Sequence, residues 1–153
     1  MKKLILDACC GPRSFWFDKN NPFVDFVHIR DEEHVIMDKV VKIHPDLVAD
    51  FRNLPYQDNT FSPVVFDPPH LKQNVDGIMT KIYGKLNNDW KTDLSKGFKE
   101  CYRVLKPQGV LIFKWSEHDI KLSTVLDLFE QKPLFGHRTK SGGTIWCCFM
   151  KID

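Results

Sequence analysis

The tetrapeptide Asp67-Pro68-Pro69-His70 carries the most specific chemistry in this sequence, and it follows an apolar segment that is typical of a buried strand. Two consecutive prolines fix the backbone φ angle and remove two N–H donors, so this turn presents bare carbonyl oxygens in a preset direction. The Asp67 carboxylate and the Pro68 carbonyl could accept both hydrogens of an exocyclic NH₂ group. Asp67 could then stabilise positive charge on that nitrogen and take its proton. The alternatives are a rigid turn without chemistry and, for His70, a general base rather than a ring that stacks on a base.

The elements that position these residues alternate between strands and helices. Strands are predicted over residues 4–7, 24–29, 46–49, 62–66 and 110–115, and helices over 14–19, 31–43, 92–105 and 119–131. Residues 133–139 and 144–151 are predicted to form a closing hairpin around Ser141-Gly142-Gly143. This α/β order implies a parallel sheet with helices on both faces and one antiparallel last strand. Ligands of such sheets bind at the carboxyl ends of the strands.

Four segments, in this order, resemble motifs of the class I S-adenosylmethionine-dependent methyltransferases. Residues 7–11 resemble the first motif, residues 50–61 the third motif and its approach to strand four, and residues 103–109 the turn before strand five. Asp67-Pro68-Pro69-His70 resembles the fourth motif of the amino-methyltransferases, Asp/Asn/Ser-Pro-Pro-aromatic. The resemblance covers about residues 4–151. It implies a Rossmann-like, seven-stranded fold and S-adenosyl-L-methionine as the cofactor. It also implies methyl transfer to an exocyclic amine of a nucleic-acid base, with adenine N6 in DNA as the preferred target. The catalytic set is then Asp67, Pro68, Pro69 and His70.

The resemblance also implies which residues hold the cofactor. Gly11 lets the cofactor pass close to the chain, the Asp7 carboxylate suits its cationic ammonium and sulfonium, and Asp50 with Phe51 offers adenine an acceptor and an apolar wall. Where the family carries an acidic ribose ligand, this sequence has His28, and we favour Asp31 as the ribose ligand. The full set is Asp7, Cys9, Cys10, Gly11, His28, Asp31, Asp50, Phe51 and Arg52. The alternative for Asp7 and Asp50 is that each only caps a helix or a turn.

Residues 71–91 form a long segment without clear periodicity, which we interpret as a substrate loop. Its four lysines against two aspartates, interleaved with Tyr83 and Trp90, suit a nucleic-acid strand, with lysines on phosphates and rings on bases. The predicted substrate-binding residues are Lys72, Lys81, Lys85 and Trp115. The alternatives are a solvated loop and, for Trp115, a place in the core. Lys114 also faces the predicted substrate side.

The composition is typical of one globular domain. The 153 residues are 42% apolar and 27% charged, and the net charge of +2 creates no strong global field. The apolar stretches are too short to cross a bilayer, and the first residues are too short for a signal peptide, so we expect no membrane contact. Five cysteines, with two adjacent pairs, indicate a reducing cytoplasmic compartment. We interpret the pairs as small buried side chains rather than as a metal site.

Other function classes stay open. The protein could methylate RNA or a small-molecule amine, or it could be an inactive cofactor-binding subunit of a larger complex, although the intact tetrapeptide argues against the last. A separate target-recognition domain typically needs about 100 further residues, and 153 residues leave no room for one. We therefore expect a weakly selective enzyme, a homodimer, or an enzyme that borrows recognition from a partner.

Overall fold

The computed structural model describes residues 1–72, 77, 80, 84–137 and 143–153. The main sheet in these ranges has seven strands: β1 Ile5–Asp7, β2 Val24–His28, β5 Leu47–Val48, β6 Val64–Phe66, β7 Val110–Ser116, β8 Phe135–Gly136 and β9 Thr144–Met150. Their order is β5-β2-β1-β6-β7-β9-β8. The first five of these pair in parallel, and β9 runs antiparallel to both β7 and β8. The predicted seven-stranded, mostly parallel sheet with an antiparallel last strand is confirmed.

Both helices in the described ranges, α1 Trp90–Val104 and α2 Leu122–Leu126, contribute to one apolar cluster. Leu94 and Phe98 of α1 pack there with Val125 of α2 and with the β7 side chain of Phe113. Phe98 stacks on Phe129 with ring centroids 4.0 Å apart. The helix predicted over 92–105 is therefore confirmed, and the one predicted over 119–131 is shorter. Helices on both faces of the sheet are not confirmed.

Turns follow β1 where a helix over 14–19 was expected, and that expectation is wrong. The backbone N–H of Trp16 bonds the carbonyl of Arg13, and Arg13 has a φ of 58° that no helix accommodates. The Trp16 ring packs edge-on against Phe26 at 5.2 Å, in a small cluster with Cys10 and Val24. Burial of the Trp16 ring against the sheet, rather than helical periodicity, therefore organises this segment.

The helix predicted over 31–43 is also wrong. These residues form a two-stranded hairpin of β3 Glu32–Ile36 and β4 Lys39–Ile43. Met37 and Asp38 have φ angles of 49° and 62°, the pair of positive values that a tight two-residue hairpin turn requires. The many β-branched side chains of the segment favour a strand over a helix, and Glu33 faces Lys42 across the hairpin at 3.6 Å.

All five cysteines are free and buried. Within the described ranges, no group of three or more histidine, cysteine or acidic side chains is arranged to hold a metal ion. None of the helices seen in those ranges is long and apolar enough to cross a membrane.

Candidate active site

Two cavities lie at the carboxyl ends of the parallel strands, where open α/β sheets bind their ligands. The larger has a volume of about 400 Å³, and its lining includes His28, Asp50, Phe51, Pro69, Lys85 and Leu94. The smaller has a volume of about 220 Å³, and its lining includes Cys9, Gly11, Asp67, Pro68, His70 and Lys114. Cys9 and His28 line both, so the two cavities share a wall. The structure thus brings most of the sequence-predicted site residues to one edge of the sheet.

Asp7, the last residue of β1, is a fully buried carboxyl group. The indole Nε1 of Trp16 donates to Oδ2 at 2.7 Å, and the backbone N–H of Cys9 donates to Oδ1 at 3.2 Å. Burial, with a smaller contribution from the nearby Asp67 carboxyl, raises the pKa of Asp7 to about 7 against the opposing effect of these two hydrogen bonds and of the Arg13 charge. Asp7 forms no ion pair within the part of the chain that the structure describes. Asp7 is therefore a buried acidic group on which Arg13 acts electrostatically without forming an ion pair.

His28 ends β2 and is held by the turn that follows β1. The backbone N–H of Gly11, whose φ is +49°, donates to Nδ1 of His28 at 3.2 Å. Burial lowers the pKa of His28 to about 4, so the ring is neutral. Since Nδ1 accepts a hydrogen bond, the ring proton lies on Nε2. Nε2 is buried and has no hydrogen-bond partner among the described residues, so His28 offers an unused donor at the shared wall.

Asp50 follows β5 and is tied to Arg52. The Arg52 Nε lies 3.0 Å from both carboxylate oxygens, and Nη2 lies 2.6 Å from Oδ2. The same guanidinium bonds Asp93, in the first turn of α1, at 3.0 Å. These bonds hold the pKa of Asp50 below its ordinary value. Arg52 therefore holds the Asp50 carboxylate in a fixed position at the rim of the larger cavity.

The Phe51 ring forms an apolar wall of the same cavity. Its centroid lies 5.2 Å from that of Phe66 in an edge-to-face contact. On the α1 side, Gly97 stands so close that an added Cβ would lie 2.4 Å from the Phe51 ring. Only glycine permits this approach of helix to ring, so Gly97 sets the position of Phe51.

Asp67 lies directly after β6, in the wall of the smaller cavity. Its Oδ2 accepts a hydrogen bond from Nζ of Lys114 at 3.1 Å. Burial raises the pKa of Asp67 to about 6, although Lys114 pulls it down. The ring of His70 meets Trp115 edge-on with centroids 6.2 Å apart, and burial lowers the pKa of His70. The turn thus places a largely ionised carboxylate and a neutral ring beside one cavity.

Three of the predicted cofactor residues line neither cavity: Asp7, which is fully buried behind the lining, and Cys10 and Asp31. Cys10 packs in the small cluster with Val24 and Phe26, and its Sγ donates to the carbonyl of Gly11 at 3.4 Å. The Asp31 carboxylate bonds Nδ1 of His44 at 2.5 Å near the base of the β3–β4 hairpin. Neither lines a cavity. The position after β2 that does line both is His28.

The predicted substrate residues are spread over the same edge. Lys85 lines the larger cavity, and Nζ of Lys72 lies 6.0 Å from the Trp90 ring, away from either cavity. Lys81 lies outside the described residues. Trp115 is only 1% exposed and donates its Nε1 hydrogen to the carbonyl of Ile120 at 2.9 Å. In this structure Trp115 is a core residue whose ring contacts His70 from behind and lines neither cavity.

Sequence reasoning missed two contributors to the site, Trp16 and Gly97. Trp16 holds the buried Asp7 carboxylate, yet it lies in a segment that was assigned to a helix. Gly97 lies in the interior of α1, where glycine lowers helix stability. A glycine inside a predicted helix could therefore have indicated a close contact at this position.

The sequence matches no protein-family profile and no curated protein. Solved structures match it in fold. A protein of Pyrococcus horikoshii is 16% identical over 99% of this chain and 82% of its own, with a TM-score of 0.64. An S-adenosylmethionine-dependent methyltransferase of Leishmania major is 14% identical over 97% of this chain and 65% of its own, with a TM-score of 0.56. A Haemophilus influenzae protein described as a candidate methylase is 13% identical over 99% of this chain and 88% of its own, with a TM-score of 0.53. At these identities the likeness establishes the fold that this chain shares with those proteins.

Proposed function

We propose that this protein is an S-adenosylmethionine-dependent methyltransferase that methylates an exocyclic amine of a nucleic-acid base, adenine N6 in DNA before other targets. The observation that carries the proposal is the buried Asp67 carboxylate, followed by two prolines, in the wall of a cavity at the carboxyl end of β6. The fold shared with known methyltransferases supports it.

The residues around the larger cavity fit S-adenosylmethionine. Phe51 offers an apolar wall and Asp50 an acceptor for the adenine. The unused Nε2 donor of His28 suits a ribose oxygen. Asp7, a buried carboxyl group that forms no ion pair within the described residues, suits the ammonium group. Asp31, the sequence-based choice for the ribose, bonds His44 instead, so we assign that contact to His28. When bound, the cofactor supplies a methyl group on a positively charged sulfur.

The chain's own part in the reaction is to hold the target amine and to take its proton. The Asp67 carboxylate and the Pro68 carbonyl oxygen accept the two N–H bonds, which orients the nitrogen lone pair. Such positioning can contribute up to about 7–11 kcal/mol to the rate. As the nitrogen gives its lone pair to the methyl group it becomes positively charged, and its proton passes to Asp67. With a pKa of about 6, Asp67 is mostly ionised at neutral pH and can accept that proton.

His70 is proposed to stack on the target base. Its ring is neutral, because burial lowers its pKa, and a neutral ring can lie against a base face. The edge contact with the buried Trp115 holds the ring in place. For the nucleic-acid partner we propose contact with the lysines of residues 71–91, within a cytoplasmic setting. A second copy of the chain or a partner protein supplies any further recognition.

The test supplies the protein with labelled S-adenosylmethionine and, in parallel, duplex DNA, RNA and a mixture of small amines. Nucleoside mass spectrometry of the DNA should reveal N6-methyladenine with the wild type and none with Asp67→Ala. Asp58→Ala is the matched control, since this exposed carboxylate pairs with Arg103 away from the site. Label only in RNA or in small amines would overturn the DNA assignment, and no label in any substrate would overturn the enzyme assignment.

A further inference from the structure

Lys114 enters the smaller cavity from the sheet face that carries no helix in the described ranges. It lies on β7 between the core-facing residues Phe113 and Trp115, so its side chain emerges on the opposite face of the sheet. Its Nζ lies 3.1 Å from Oδ2 of Asp67, and the two side chains are only 23% and 14% exposed. Such a shielded ion pair is screened far less than one on the surface.

Two aromatic rings fix the position of this ammonium group. The Phe15 ring centroid lies 5.1 Å from Nζ, and that of Trp146 lies 5.8 Å away. The two rings meet edge to face with centroids 5.3 Å apart, and Trp146 is the direct partner of Lys114 across β7 and β9. Cation–π contacts of this kind attract the ammonium group to the ring faces and limit the rotamers of the side chain. The ammonium is therefore held in one place beside Asp67.

The ion pair with Lys114 leaves one oxygen of the Asp67 carboxylate available for another hydrogen bond. Oδ2 accepts from Lys114, whereas Oδ1 has no hydrogen-bond partner within the described part of the chain. We propose that Lys114 is a positioning residue for the amine methylation: it fixes Oδ2, keeps Asp67 ionised, and directs Oδ1 to the target N–H. This inference rests on the proposed function.

The groups near Asp67 are Asp7 at the end of β1, Cys9 in the turn after it, His28 at the end of β2, His70 in the turn that contains Asp67, and Lys114 on β7. His28 and His70 are neutral because burial lowers their pKa values, and burial keeps the Cys9 thiol protonated. Asp7 is acidic and raises the proton affinity of its neighbours. Lys114 is thus the cation that offsets the burial of Asp67. Without it, Asp67 would be protonated near neutral pH and could not accept a proton.

The experiment compares Lys114→Met, which keeps an unbranched side chain of similar reach, with Lys114→Arg, which keeps the charge. Lys99→Met is the matched control, because Lys99 is 73% exposed in a surface pair with Glu130. Carbon-13 NMR of the Asp67 carboxyl group in the full chain follows its pKa without any substrate. We expect Lys114→Met to raise that pKa by at least about one unit. Lys114→Arg should raise it less, and Lys99→Met should leave it unchanged.

Kinetics then separate positioning from a merely structural role. In Lys114→Met the acid limb of the kcat/KM profile should move to higher pH, with activity recovering in alkaline buffer. In Lys114→Arg the limb should move less. An equal loss at every pH, or an Asp67 pKa unchanged in Lys114→Met, would overturn the inference. If Lys114→Met does not fold, Lys114→Gln takes its place in the same titration. A raised pKa in a protein whose wild type transfers no methyl group would refute the proposed function but keep the effect of Lys114 on Asp67.

Discussion

Affinity for S-adenosylmethionine should rise steeply with pH through neutrality, because the carboxyl group proposed to meet its ammonium is half protonated near pH 7. Burial raises the pKa of Asp7 to about 7. A bound cation favours the ionised form, so part of the binding free energy at low pH is spent on removing the proton. For a group with this pKa, the dissociation constant should fall about eightfold between pH 6.0 and 7.5. Asp67, with a pKa of about 6, adds at most about twofold over the same interval.

Isothermal titration calorimetry at pH 6.0, 6.75 and 7.5 measures this directly. At pH 6.0, repetition in buffers of different ionisation enthalpy should show nearly one proton released per cofactor bound. 5′-Methylthioadenosine, which lacks the ammonium group, should bind with little dependence on pH. Asp7→Asn removes the titrating group while keeping the size of the side chain, so it should flatten the profile for S-adenosylmethionine.

Three results would refute this reasoning. Equal dissociation constants at pH 6.0 and 7.5 would show that Asp7 does not meet a cation. Proton uptake on binding would show that a basic group is the one that titrates. An Asp7→Asn variant with the wild-type pH profile would assign the titration to another residue.

Further variants probe the other parts of the site. Asp67→Ala should abolish methyl transfer while changing the cofactor dissociation constant less than about threefold, because it removes a contact to the target amine rather than to the cofactor. Single-turnover assays and calorimetry measure the two effects, and methyl transfer at a normal rate would contradict the assignment. His28→Phe should weaken S-adenosylmethionine binding by about tenfold, the value of one buried hydrogen bond, and unchanged affinity in calorimetry would remove His28 from the cofactor site. Gly97→Ala should cost about 1–3 kcal/mol of the free energy of unfolding, since its Cβ would strike the Phe51 ring; urea unfolding measures the loss, and wild-type stability would show that the helix can move away from the ring.

The sheet could be predicted from the sequence because its central strands are short apolar runs, several of which end in a polar residue. Asp7, His28 and Asp67 each stand at such an end, and the structure brings all three to the same edge. The position of Phe51 in the wall of the larger cavity follows from the same rule applied to β5.

The two wrong helices have a common physical cause. In residues 31–43, Ile36, Val40 and Ile43 have helical spacing, but they suit a strand equally well. The tight turn at Met37 and Asp38 contains no glycine, the residue that would have indicated a turn in the sequence. In residues 14–19 the aromatic side chains are adjacent rather than periodic, and Trp16 finds its place only through contacts with Asp7 and the sheet. Contacts between distant segments decided both cases, and spacing along the chain does not reveal them.

The turns of residues 11–23, all of them described, bear on which nucleotides the proposed site would favour. The N-terminus of a helix after the first strand would present bare N–H groups and partial positive charge, which attract phosphates. In the described residues the chain after β1 forms turns instead, and the charges near Asp7 are those of Asp67, Arg13 and Lys114. If this site holds the cofactor as we propose, we expect it to bind the pyrophosphate of a dinucleotide more weakly than a site with such a helix end would.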